Sequence, residues 1–326
     1  MHEVPCILCA RQGEPLFTKA DKFPPHEPFT VVRCPGCGLR WVSPRPEPEA
    51  LARYYPDTYS WKPPDDEASE SAVHRLERWY RFHLLRFETR QLLRETDLGA
   101  GDAVLDVGCS SGDRLLVMRQ AGLAPAGVEL GPAADFARDR LGLDVRRGTL
   151  QQAAFDDARF RAVTLHNVLE HVPDPAALLA EAKRVLAPGG WVVVQVPNAA
   201  SLQARLFGRR WAAVDVPRDL WYWTPPLLAR LLEEAGFDVA GVAHRTSLLH
   251  PPTAAVSLLP WADPQRFWAA EAEGSALRGL ARRLAWAAVT LSATGPVWLE
   301  SLVGASAIPT TFARKPLEPA AAAPPA

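Results

Sequence analysis

The sequence predicts an α/β fold: a parallel sheet covered by helices on both faces, preceded by a small cysteine-bearing module. Three observations carry this expectation. From Ala103 onward, apolar strand-like runs alternate with helical patterns, which implies parallel crossover units. Four of the five cysteines fall before Gly38 in two paired motifs. The chain has 326 residues, 48% of them hydrophobic, enough to bury a core and to exclude a wholly disordered chain. Thirty-six basic residues against thirty-seven acidic ones give a net charge of −1. That balance argues against a dedicated nucleic-acid binder.

Residues 1–45 are poor in helix signals and carry Cys6-x-x-Cys9 and Cys34-x-x-Cys37. Two residues between cysteines let both thiolates reach one tetrahedral ion, and two such pairs close the shell around a structural Zn²⁺ with no open position. Proline-rich residues 46–71 read as a linker. Residues 72–95 have apolar three-and-four spacing and an arginine-rich opposite side, a helix with a solvated face. Strands are expected at 103–107, 125–130, 161–166, 191–197 and 237–243, with helices at 113–121, 132–141, 175–186 and 224–235. Thr224-Pro225 supplies a hydroxyl cap and a proline at the first helical position. Pro188-Gly189-Gly190 stops one helix and turns into the next strand. Residues 316–326 are nearly all Pro and Ala and read as a disordered tail.

The run Val104-Leu105-Asp106-Val107-Gly108-Cys109-Ser110-Ser111-Gly112 ends a buried strand in a small-residue loop that opens a helix. Ligands of open α/β sheets bind at such strand ends, and glycines let a ligand approach the backbone. The spacing of Gly108 and Gly112 is neither the G-x-G-x-x-G of dinucleotide sites nor a phosphate loop ending in Gly-Lys-Ser/Thr. The next strand ends in Glu129, placed to take both hydroxyls of a ribose.

Together with Leu165–Pro175, Leu186–Trp191, Pro217–Thr224 and Glu233–Phe237, these motifs resemble the class I S-adenosylmethionine-dependent methyltransferases, in the group of the ubiquinone-pathway O-methyltransferases. The cysteine ribbon, Ser43-Pro44-Arg45-Pro46 and Tyr54-Tyr55 resemble an N-terminal module of bacterial members, sugar methyltransferases included. The resemblance implies a Rossmann-like seven-stranded sheet. It implies S-adenosyl-L-methionine held by Asp106, Gly108, Cys109, Gly112, Glu129, Thr149, Leu150 and His166. It also implies domains at 1–45 (zinc ribbon), 46–71 (linker), 72–243 (core), 244–305 (helical insertion), 306–315 (last strand) and 316–326 (tail). Ser110 stands where the family has its middle glycine. Gly148-Thr149 replaces Gly-Asp, leaving Thr149 or a backbone group to meet the adenine.

Methyl transfer from a sulfonium needs alignment and exclusion of water, and a base only when the acceptor must lose a proton. His166 and His171 are the candidate bases. Arg209, Trp211, Arg218, Trp221 and Tyr222 are the candidate acceptor residues, because aromatic faces suit rings and guanidinium groups suit phosphate or carboxylate. The expected acceptor is a small molecule or a glycan, including a nucleotide- or lipid-linked sugar. The alternatives are an RNA methyltransferase gripping nucleic acid with its ribbon, an NAD-dependent oxidoreductase, and a non-catalytic adaptor. No nucleic-acid partner is expected. The start of the chain has no basic region followed by an apolar stretch, so the expected compartment is reducing cytoplasm. Residues 284–299 carry no charge, and tryptophans and arginines flank them. Peripheral membrane contact through 255–303 is therefore a further expectation beside a helical cap or dimer surface.

Overall fold

The computed structural model describes residues 1–55, 72–244, 250–260 and 276–317. The linker beyond Tyr55, Trp261, Phe267, Trp268 and the tail beyond Leu317 lie outside them, as do the side chains of Arg278, Arg282, Arg283 and Trp286.

The strands in chain order are β1 (Glu14–Ala20), β2 (Pro28–Arg33), β3 (Arg40–Val42), β4 (Ala103–Val107), β5 (Ala124–Glu129), β6 (Asp144–Arg147), β7 (Phe160–His166), β8 (Leu186–Gln195), β9 (Trp221–Tyr222), β10 (Asp238–Ala243) and β11 (Thr310–Arg314). The helices are α1 (Pro48–Leu51), α2 (Ala72–Glu95), α3 (Asp113–Gln120), α4 (Ala133–Asp139), α5 (Leu150–Ala153), α6 (Pro175–Val185), α7 (Leu202–Phe207), α8 (Pro225–Glu234), α9 (His250–Leu258) and α10 (Ala276–Leu302).

Seven strands make one sheet in the order β10-β11-β8-β7-β4-β5-β6. β4 pairs in parallel with both β5 and β7, β7 with β8, and β11 runs antiparallel between β8 and β10. The chain changes direction of winding at β4, so the crevice beyond the carboxyl ends of β4, β5 and β7 is the topological switch point. Buried on both faces, these strands need no polar alternation. Val104, Leu105, Ala162, Val163, Leu165, Val192 and Val194 are all fully buried.

Local chemistry sets the helix ends. Asp174 Oδ1 accepts from the N–H of Ala177 at 3.0 Å, and Pro175 opens α6 without an orphaned donor. Leu178, Leu179, Ala182 and Val185 then face the sheet. Two expectations need correction. Thr224 stands at the N-cap of α8, but its side chain makes no capping bond; Pro225 and Pro226, which have no N–H to orphan, relieve the end. Pro188-Gly189-Gly190 does not precede the strand. It lies within β8 as an irregularity, where pairing jumps from Phe160↔Leu186 to Ala162↔Trp191, because proline offers no N–H to a ladder.

The four-stranded N-terminal sheet is β1-β2-β3-β9. Its last strand comes from far along the chain: Arg40 pairs with Tyr222 and Trp41 with Trp221. The rings of Trp41 and Trp221 lie 6.4 Å apart, and those of Trp221 and Trp223 lie 6.2 Å apart. The Trp221 indole donates to Val172 O at 2.9 Å. Cys6, Leu8, Cys34 and Trp41 thus share one apolar cluster with Val163, Leu165 and Leu179 of the core. Trp221→Ala is expected to cost ~3–5 kcal/mol through cavity formation and to loosen both sheets together. A urea titration checks this; a change below ~1 kcal/mol would contradict the shared core.

Candidate functional site

At the switch point, Gly108, Ser110 and Gly112 all have positive φ, at 75°, 50° and 83°. Ser110 holds this left-handed conformation at a cost of ~1–2 kcal/mol, which explains why glycine suits the position. Packing imposes a need for glycine of its own. A Cβ on Gly112 would stand 2.5 Å from Leu143 Cδ1 and 3.2 Å from Ala137 Cβ, and one on Gly108 would stand 2.6 Å from Val168 Cγ2. Packing against α4 and against the loop after β7 demands them. Glu129, at the end of β5, accepts from the N–H groups of Ser110 (3.0 Å) and Gly131 (2.8 Å). Each carboxylate oxygen keeps a further lone pair for a hydroxyl.

Asp106 is buried, accepts from Thr164 Oγ1 at 2.6 Å and faces Arg114 Nε at 3.8 Å. Burial pushes its carboxyl up to about 6, although Arg114 and Thr164 favour the charged form. Cys109 is buried, and burial with the Asp106 and Glu129 charges raises its thiol. Thr149 caps α5 in a reciprocal box with Gln152. Leu150 buries its side chain, leaving its N–H, at the first turn of α5, without an intrahelical acceptor.

Beside the crevice opens a cleft of about 830 Å³. Its walls come from the β1–β2 turn (Asp21, Lys22, His26), the loop after β7 (Asn167, Glu170, His171) and the segment 209–219, with Thr253 and Val256 of α9. His171 Nδ1 lies 3.0 Å from Arg218 O and 3.2 Å from Asp219 Oδ1. Both are acceptors, so Nδ1 carries the proton and the neutral ring keeps its lone pair on Nε2. Burial works against charge on His171, but Glu170, Asp219 and the Arg218 carbonyl outweigh it and raise the imidazole above its ordinary value. Burial pushes Glu170 up to about 7 and Asp219 to about 6, with the His171 charge pulling both down.

Behind this wall Arg218 is fully buried. Nη2 pairs with Asp21 Oδ1 and Asp215 Oδ1, each at 2.6 Å, and Nη1 donates to Tyr54 O at 2.7 Å. Lys22 adds a bridge to Asp215 at 2.9 Å.

At the outer end of the module, one ligand atom from each of Cys6, Cys9, Cys34 and Cys37 lies within 4.8 Å of the others. Burial opposes ionisation of Cys34, but the N–H groups of Cys37 and Gly36 and its neighbouring thiols bring it down to about 7.

A family model described as a methyltransferase domain matches residues 76–242, just over half of the chain. The chain belongs to this family. Among its relatives, the ubiquinone biosynthesis O-methyltransferase of Thiobacillus denitrificans is 34% identical over 152 residues, covering 43% of this chain and 66% of that protein. The protein of that name from Pseudomonas aeruginosa strain LESB58 is 36% identical over 158 residues, covering 44% of this chain and 67% of the relative. The methyltransferase-family chain thus spans just under two thirds of the first relative. A solved complex of the Haloferax volcanii Trm112 methyltransferase activator with a methyltransferase shares the fold, at 19% identity and TM-score 0.50 over 78% of this chain and 100% of the other.

Within the methyltransferase fold the sequence-expected residues separate. Gly108, Cys109, Gly112, Glu129, Thr149 and Leu150 gather around the crevice with Asp106 beneath them. The two histidines part company. His171 lines the cleft, whereas His166 lines a small chamber with Glu88, Arg114 and Gln195. Burial and Arg114 hold the His166 imidazole well below its ordinary value. Of the expected acceptor residues, Arg209 lines the cleft. Trp211, Arg218, Trp221 and Tyr222 are buried packing and pairing residues outside its lining. Asp21, Lys22, His26, Asp215 and Asp219 were missed, because nothing in the sequence joins positions nearly two hundred residues apart.

Arg218→Met leaves Asp21 and Asp215 buried without their partner and is expected to cost ~3–5 kcal/mol, read by urea denaturation at neutral pH. Glu170 and His171 both carry raised values. The folded state holds protons that the unfolded chain releases, so stability falls as pH rises from the ordinary 4.5 of Glu170 through about 7. Glu170→Gln should flatten that fall in pH-dependent melting; an unchanged slope would contradict the assignment.

Proposed function

We propose that this chain is an S-adenosylmethionine-dependent methyltransferase acting on a small acceptor held between its N-terminal sheet and its α/β core. One observation carries the reading: the left-handed loop 108–112 packs on Val168, and Asn167, Glu170 and His171 of that same post-β7 loop form the inner wall of the cleft. A cofactor crevice and an acceptor cleft therefore share one loop.

The residues fit the cofactor. Glu129 retains acceptor capacity for ribose hydroxyls, Leu150 offers an unpaired N–H beside the adenine-side turn, and Cys109 and the glycines keep the crevice floor small. S-adenosylmethionine supplies a methyl group already activated as a sulfonium. His171 takes the acceptor proton at Nε2 while Asp219 and the Arg218 carbonyl hold its Nδ1–H. The Glu170 carboxylate beside it, with Asp219, stabilises the resulting imidazolium. The walls exclude water and align the acceptor. Arg209 and Arg210 at the cleft suit a phosphate or carboxylate on the acceptor, in keeping with a small molecule or a nucleotide- or lipid-linked sugar. Its O-methyltransferase relatives favour an oxygen as the acceptor atom. Cys6, Cys9, Cys34 and Cys37 hold a structural Zn²⁺, since four thiolates at ~2.3 Å from one ion stand about 3.8 Å apart, within the observed spread.

Calorimetry with S-adenosylhomocysteine, NAD and short RNA in parallel tests the reading. Only the first should bind, and Glu129→Ala should weaken it by ~1.5–3 kcal/mol; binding of NAD or RNA alone would overturn it. His171→Asn should lower turnover by ~10²–10⁴ without changing cofactor affinity, and should remove the rise in rate above pH 6.5, the ordinary value for histidine. Metal analysis should return about one zinc per chain, lost in Cys34→Ser.

A further inference from the structure

We propose that the outward face of α10 together with α7 is a docking surface for an anionic lipid bilayer. Along α10 the inward side is marked by buried Ala293, Val297 and Glu300. The opposite side presents Leu291 (75% exposed), Trp298 (61%) and Leu302 (42%), flanked by Leu299 and Val303. From Ala288 to Val303 the only charged residue is Glu300, which turns inward and accepts from Gln203 Nε2 at 3.0 Å. The exposed face is therefore uncharged for ~22 Å at 1.5 Å per residue.

That same bond fixes α7 against α10. α7 turns Leu202 and Leu206 outward, the latter 77% exposed. Exposed Arg205, Arg209 and Arg210 stand around these leucines, and residues 199–214 contain no acidic residue. Apolar knobs beside these cations match hydrocarbon beneath anionic headgroups. A second copy of the chain is a poor occupant, because a two-fold contact would bring the same arginines together. Among the described residues no helix is long and apolar enough to cross a membrane, so the contact is interfacial. α9 packs on α10 through Ala254, and Thr253 and Val256 line the cleft with Arg209 and Arg210. The docked face thus borders the cleft mouth. The proposal goes beyond methyl transfer and stands or falls without it.

Flotation of the full chain at low salt tests it, with vesicles of phosphatidylcholine alone and with phosphatidylglycerol added. The chain should float with the mixed vesicles only. The triple variant Leu206→Gln, Trp298→Gln, Leu302→Gln should lose roughly tenfold or more of its binding, with unchanged urea midpoint and S-adenosylhomocysteine affinity. Trp298→Gln alone, a single exposed change, gives a weaker loss and serves should the triple variant misfold. Failure of the wild type to float, equal flotation of a folded variant, or a wild-type dimer that the variant converts to monomer would each overturn the proposal. Unchanged cofactor affinity in every variant separates such a failure from a failure of the methyltransferase reading.

Discussion

The buried guanidinium of Arg218 is the constraint on which the cleft wall depends. It joins Asp21 at the end of β1, the carbonyl of Tyr54 just after α1, and Asp215 in the segment ahead of β9. A buried pair of this kind contributes little net stability but is costly to break, so it acts chiefly on geometry. Its backbone carbonyl receives the His171 Nδ1–H, and Asp219 follows it in the chain. One residue therefore ties the N-terminal sheet to the core and orients the imidazole facing the cleft. The Asp215 carboxyl, buried yet held below its ordinary value by Arg218 and Lys22, keeps the pairing intact down to acidic pH.

This arrangement makes the cysteine module part of the cleft. The module lends β1–β3 to the sheet that β9 completes, and its turn supplies Asp21, Lys22 and His26 to the cleft wall. Arg230 of α8 donates to Leu8 O at 2.6 Å, fixing the first cysteine knuckle to the core as well. A structural Zn²⁺ would then rigidify one wall of the cleft, while the switch-point crevice rests on β4, β5 and the segments after β6 and β7. The cleft and the switch-point crevice are built from different parts of the chain, meeting at residues 167–171.

Periodicity and local motifs made the core legible. The strands beginning near Ala103, Ala124, Phe160 and Asp238 lie within a residue or so of their expected places, and the loop from Asp106 to Gly112 is where its small residues put it. What stayed hidden was side-chain direction. Trp211, Trp221, Tyr222 and Arg218 look like a ring-and-phosphate site by composition, yet they fold inward, because the N-terminal sheet covers them. His166 and His171 lie five residues apart and look equivalent in sequence; His166 ends β7 facing the chamber with Arg114, and the turn that follows carries His171 into the cleft. Packing adds a reason for glycine at 112 that the sequence could not show: Leu143 and Ala137 fill the space a side chain would need. The proline within β8 shows the same limit, since a turn signal cannot tell a loop from an interruption inside a strand.

Amide hydrogen exchange of the Asp21→Asn variant tests the central claim most directly. Loss of the Asp21 charge weakens its hold on Arg218 without touching the cofactor crevice. The account predicts faster exchange in residues 14–33 and 209–222, with β4, β5 and the loop 108–112 as protected as in the wild type. Exchange that rises equally across both regions, or that leaves 209–222 unchanged, would contradict it.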